Sequence, residues 1–223
     1  MDASSTDTGS ASAVLARPRL RGVFHQYAFV VFAALGVALT LTSAGTTERA
    51  AAIVFGSSVA VTFGVSAVYH RITWTPSARR VMRRIDHAAI FLLIAGTYTP
   101  YGLLVLSGAW TWAVLAVVWT GALLAVLQRL AWPEAPKWVP AAFAVALGWV
   151  GVVAFPQLWE KTGPAGAGLL LAGGLLYTLG AVVYALRRPN PAPAVFGYHE
   201  LFHALTIAAA AFQYAAIAFF VLN

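Results

Sequence analysis

Seven apolar runs, each about the length of a bilayer crossing, occupy almost the whole of this 223-residue chain. They lie, within a few residues, at 24–43, 50–70, 87–106, 109–128, 138–156, 165–186 and 199–222. A helix needs about 20 apolar residues to cross the hydrocarbon core. No water reaches an exposed N–H or C=O in lipid, so the runs are read as helices and not as isolated strands. Composition agrees with this. Hydrophobic residues make up 61% of the chain and charged residues 9%, against about 25% charged in a soluble domain. A soluble domain, a disordered chain and a coiled coil are all excluded.

The expected fold is therefore an all-α integral membrane protein, a seven-transmembrane helix bundle over residues 22–223. Residues 1–21 are polar and rich in Ser, Thr and Ala. They lack the basic start, apolar core and cleavage site of a signal peptide and are expected to form a disordered cytoplasmic tail. There is no cysteine, which removes disulfides, thiol nucleophiles and thiolate metal sites from consideration.

The basic residues give the orientation. Numbering the connections alternately from the N-terminus, one side collects Arg17, Arg19, Arg21, Arg71, Arg79, Arg80, Arg83, Arg84, Arg129, Lys137, Arg187 and Arg188, and the other only Arg49 and Lys161. Basic residues accumulate on the cytoplasmic side of membrane proteins, so the N-terminus is expected inside and the C-terminus outside. The net charge of +7 is then a topology and anionic-lipid signal. It does not point to nucleic acid, since the basic residues are scattered over short loops.

Charged and imidazole groups inside a span are costly and mark function by default. Here they are few: Ser66 and His70 at the end of the second span, Asp86 and His87 at the start of the third, and His199, Glu200 and His203 at the start of the seventh. The topology, read from arginines alone, puts all three places in one membrane layer. His199 and His203, four apart, share one helix face. His199-Glu-Leu-Phe-His203 also matches the zincin pattern, in which the glutamate is the base. The same spacing fits two histidines hydrogen-bonded between helices. His70 adds a third imidazole at the same depth, and three histidines with an open fourth position are what a catalytic zinc site requires. Imidazole also suits Fe(II), Mn(II) and Ni(II).

Asp86 is the acid placed to hold a water, act as general base or orient a histidine. It also fits a helix N-terminal acid paired with Arg83 or Arg84. Ser66, one turn before His70, is placed to bind a substrate or a water, or serves only as a small packing residue. His87 is rotated away from Asp86 and is not assigned to the metal, and His25 is read as isolated. Thr206 and Gln213 continue the polar stripe of the seventh span and are expected to line a cavity below the metal.

Three segments together resemble one family. Ser66-Ala-Val-Tyr-His70, Arg84-Ile-Asp86 through Gly96-Thr-Tyr-Thr-Pro100, and Gly197-Tyr-His199-Glu-Leu-Phe-His203 look like the three motifs of the haemolysin III and progestin/adiponectin-receptor (PAQR) family, in order and in spacing. The resemblance covers roughly residues 20–222 and points to the bacterial haemolysin III branch. It implies a zinc ion on His70, His199 and His203, a water held towards Asp86, and Ser66 as the motif serine. It implies hydrolase-like chemistry on lipid amide bonds, a role in membrane-lipid homeostasis and a place in the bacterial cytoplasmic (inner) membrane. Receptor relatives often carry glutamine where Glu200 stands, which makes Asp86 the better base. Relatives often have a further histidine near Gln213, and this chain does not.

The leading expectation is a zinc-dependent intramembrane hydrolase of a lipid-like amide or ester, with Asp86 and Ser66 catalytic and a cavity open to the cytoplasmic side. The competing readings are a sensor or receptor of membrane state with structural zinc, and a pore-forming or carrier protein.

Overall fold

The computed structural model describes residues 18–222, and helices dominate it. In order they are α1 (Val23–Thr42), α2 (Thr46–Arg71), α3 (Pro76–Leu104), α4 (Ala109–Ala131), α5 (Trp138–Gly148), α6 (Phe155–Leu186) and α7 (Tyr198–Phe220), with a short 3-10 turn, Val150–Ala154, between α5 and α6. No strand occurs among the described residues. Of the tail expected over 1–21, residues 1–17 lie outside the described residues. Residues 18–21 are tied down: Arg19 N and Leu20 N donate to the Ala194 and Val195 carbonyls at 3.1 and 3.3 Å.

Six helical stretches are long and apolar enough to cross a membrane, one fewer than the seven expected. The difference falls in Trp138–Leu186, a single stretch of 49 residues that holds the fifth and sixth expected spans. Its helices follow one another almost without interruption, and the expected connection at 157–164, with Glu160 and Lys161, is helical up to Gly163. Gly163 breaks the stretch internally, with φ 66° and ψ −179° followed by Pro164. A positive φ is open to glycine at little steric cost. The stretch folds back there, since Trp149 Nε1 donates to Thr178 Oγ1 at 2.9 Å across the bend.

The third span also differs from expectation. Residues 71–86 were expected as a connection, yet α3 begins at Pro76. Thr75 caps it by accepting from Ala78 N at 3.4 Å, and proline fills the first turn, where its missing N–H is no loss. Asp86 therefore sits ten residues, about three turns, inside α3. That overturns its reading as a helix N-terminal acid.

Consecutive helices pack as neighbours, and α7 closes the bundle against α6, α1 and α3. Phe55, Phe63, Phe91, Val118 and Ile217 are fully buried. Large apolar side chains such as Tyr27, Leu41, Trp112 and Leu186 face outward, the pattern of a helix whose outer solvent is hydrocarbon. The basic connections gather at one end. Arg83 pairs with Glu134 at 2.7 Å, Lys137 meets Tyr198 OH at 2.5 Å, and the residues before α1 bond to the loop before α7. The ends of α2 and the starts of α1 and α7 are thereby held in one layer.

Close packing of α1 on α2 depends on two glycines. A Cβ at Gly56 would lie 2.9 Å from Gly36 Cα, which backbone cannot absorb without the helices moving apart. Gly56→Ala is expected to destabilise the bundle by about 1–3 kcal/mol, read as a lowered Tm in detergent. Gly174→Ala, whose Cβ would meet nothing within 4 Å, should leave Tm unchanged or slightly raised.

Candidate metal centre

Each histidine reaches the centre for a local reason. α2 ends at Arg71, so His70 lies in its last turn. α7 begins at Tyr198, where Glu200 accepts from Gly197 N at 2.9 Å and so caps the first turn. His199 and His203 follow on one face. Gly22, with φ 80°, seats the start of α1 against α2, and a Cβ there would lie 2.6 Å from His70 Cβ.

One ring nitrogen from each of His70, His199 and His203 lies within 4.8 Å of the others. His70 Nε2 and His199 Nε2 are 3.2 Å apart. Two imidazole nitrogens facing each other at that distance share a proton or point both lone pairs at a cation. Ligands on tetrahedral zinc at about 2.0–2.1 Å stand about 3.3 Å apart, so the spacing fits. His199 and His203 are buried and His70 half-buried. The donor set is all nitrogen and fits zinc or another borderline divalent ion. These three side chains could hold a metal ion between α2 and α7.

Asp86 is buried, and its Oδ2 lies 3.9 Å from His70 Nε2. That is beyond direct hydrogen-bond reach and puts the carboxylate beside the histidines. Buried Ser66 interacts with the same carboxylate. The structure thus brings Ser66, His70, Asp86, His199 and His203 together, five of the seven residues singled out from the sequence.

The remaining ionisable residues divide clearly. Glu200 is fully buried, but its carboxylate is paired with Arg21 and with Gly197 N. It closes the helix start and does not face the histidine nitrogens, so the zincin assignment of a base to this position is not supported by its geometry. His87 turns away and takes Arg129 as partner, Nη2 to Nδ1 at 2.6 Å. His25 was read as isolated, and the structure corrects this. Its buried ring stacks on His203 with centroids 3.8 Å apart and planes 12° from parallel. The signal was present in the topology, since the first helix begins on the same side as the seventh.

A cavity lies one helical turn from the histidines, between α3, α5, α6 and α7. Its volume is about 160 Å³, it is partly open to the surroundings, and its walls are almost wholly apolar. Thr206 and Gln213 line it, as expected. Phe202 stands between the two sites: it lines the cavity, and its ring centroid is 5.9 Å from that of His199 and 5.6 Å from that of His203.

Fold and site define a multi-pass helical membrane protein with a three-histidine cluster at one end of the bundle. The model of the Haemolysin-III related family matches residues 14–214, and the chain belongs to that family. It is 31% identical to Hemolysin-3 of Bacillus cereus over 169 residues, 76% of this chain and 74% of that protein. It is 28% identical over 167 residues to the Hemolysin-3 homolog of Bacillus subtilis (strain 168), covering 75% of each. The Adiponectin receptor protein of Drosophila melanogaster matches at 29% over 208 residues, 81% of this chain and 46% of the receptor.

Metal analysis of the purified protein by mass spectrometry is expected to give about one zinc per chain, lost in His70→Ala and in His203→Ala. Glu200→Gln should retain the metal while lowering stability by about 1–3 kcal/mol, because its partner is Arg21 and not the cluster.

Proposed function

We propose that this protein is a zinc-dependent intramembrane hydrolase of a lipid-like amide or ester, active in the bacterial cytoplasmic membrane and contributing to membrane-lipid homeostasis. The observation that carries the reading is the three-histidine cluster, with Asp86 beside it, one turn from a long apolar cavity. The excess of basic residues at that end of the bundle supports a cytoplasmic orientation for it.

His70, His199 and His203 hold the metal. When bound, zinc supplies a Lewis acid and lowers the pKa of water toward about 7. The cavity takes the apolar chain of the substrate, and Phe202 separates that chain from the polar layer. Burial of the chain fixes the carbonyl at the histidine end and converts the encounter into a positioned one. Asp86 accepts the proton of the attacking water as the water oxygen bonds to the carbonyl carbon. The C–N or C–O bond then breaks, and Asp86 returns the proton to the leaving nitrogen or oxygen. Ser66 donates its one hydroxyl proton to the carboxylate of Asp86 and so holds the base in place.

The match to the fly receptor favours a second reading, in which the same cavity binds a lipid ligand without turnover. One pair of measurements separates the two. On the hydrolase reading, Asp86→Asn keeps zinc and loses turnover of a lipid amide by about 10²–10⁴-fold. On the receptor reading neither wild type nor Asp86→Asn releases fatty acid, and both bind the lipid alike.

A further inference from the structure

Beside the histidine cluster lies a group of cations that the nearby carboxylates do not match. Arg129, in the last turn of α4, is 3% exposed. Its Nη2 contacts His87 Nδ1 at 2.6 Å and donates to the Pro133 carbonyl at 3.4 Å. Its Nε and Nη1 are buried and have no hydrogen-bond partner among the described residues. A buried guanidinium without an anionic partner is strongly disfavoured. Lys137 Nζ lies 2.5 Å from Tyr198 OH and 4.7 Å from the ring centroids of both Tyr184 and Tyr198. Among the described residues no carboxylate is paired with either cation. Glu134 pairs with Arg83 at the exposed rim, Asp86 faces His70 and Ser66, and Glu200 is taken by Arg21. Arg129 contacts His87, Lys137 lies over the Tyr184 ring, and the His87 and Tyr184 rings are themselves 6.4 Å apart.

This cationic group and the cavity are aligned. His87 on α3, Tyr184 on α6 and His199 on α7 form one layer: the His87 and Tyr184 ring centroids are 6.4 Å apart, and those of Tyr184 and His199 6.0 Å. One turn further along the same three helices, Ile90, Ala181 and Phe202 line the cavity. The head of a molecule whose chain fills the cavity would stand one turn beyond it, at the layer of His87, Tyr184 and His199 that Arg129 and Lys137 contact.

We propose that Arg129 and Lys137 form a recognition site for the phosphate of an anionic amphiphile whose chain occupies the cavity. The Nε and Nη1 groups of Arg129 are left to donate charge-assisted hydrogen bonds to phosphate oxygens, and Lys137, over the Tyr184 ring, adds a point charge. The inference rests on the hydrolase reading only in making that amphiphile the molecule cleaved, and the anion site itself stands apart from the metal.

The test uses the full-length chain in a neutral detergent, with binding read from tryptophan fluorescence or ligand-induced rise in Tm. The probes are lysophosphatidate, lysophosphatidylcholine of the same chain length, and inorganic phosphate. Lysophosphatidate is expected to bind at least about tenfold more tightly than the other two. R129Q and K137Q should each weaken it by about tenfold or more, while R188Q, which removes an exposed arginine of the neighbouring loop, leaves it unchanged. If R129Q does not fold, K137Q decides. Equal binding of lysophosphatidate by wild type and K137Q overturns the proposal, as does equal affinity for the zwitterionic lipid. Inorganic phosphate binding as tightly as lysophosphatidate overturns the amphiphile in favour of a free anion. Metal content is measured on the same samples. Arginine-dependent binding in a metal-free wild type sustains the anion site while removing the hydrolase reading.

Discussion

The meeting of three imidazoles from two helices is what the rest of this bundle is arranged around. In hydrocarbon a histidine nitrogen without a partner is costly, so the rings must find one another or a cation. His70 and His199 do so at 3.2 Å, and that contact fixes the height of α2 relative to α7. Everything nearby maintains it. Gly22 lets α1 approach His70 closely, His25 lies flat on His203, and the Arg21 and Glu200 pair closes the first turn of α7. The buried carboxylate of Glu200 would be a liability alone; paired, it joins the segment before α1 to the helix that carries two of the three histidines.

The polar layer is therefore confined to one end, and the bundle below it is free to be apolar. That division explains how a chain with so few charged residues still assembles a concentrated set of ionisable groups. It also explains why the cavity is apolar up to Phe202 and polar immediately beyond. Two environments meet at one aromatic ring, and a molecule with a chain and a head group matches both.

Much of this was legible in the sequence because lipid imposes strict rules. The lengths of the apolar runs gave the helices, and the arginines gave a common side for His70, Asp86, His199 and His203. The less legible features depended on local backbone events. Thr75 and Pro76 start α3 three turns before Asp86, although the arginines that follow suggested a loop. Gly163 breaks the helix inside the expected connection 157–164, but Gln157, Glu160 and Lys161 there are helical, so the fifth and sixth spans run on as one stretch instead of being parted by a loop. His25 looked isolated because no second polar residue accompanies it on α1, and its partner comes from α7. The role of Glu200 was hidden by a motif: the same five residues that suggest a base in a soluble protease here include a helix cap.

The cavity runs along α7 from Phe202 to Gln213. Eleven residues of helix at about 1.5 Å each amount to about 16 Å, against a hydrocarbon core of about 30 Å. The cavity walls also take in Leu106, just past the end of α3, and Leu158, so the space continues toward the end of the bundle opposite the histidines. A chain lodged with its head at the histidine layer therefore has its tail directed away from that layer, into the depth of the membrane.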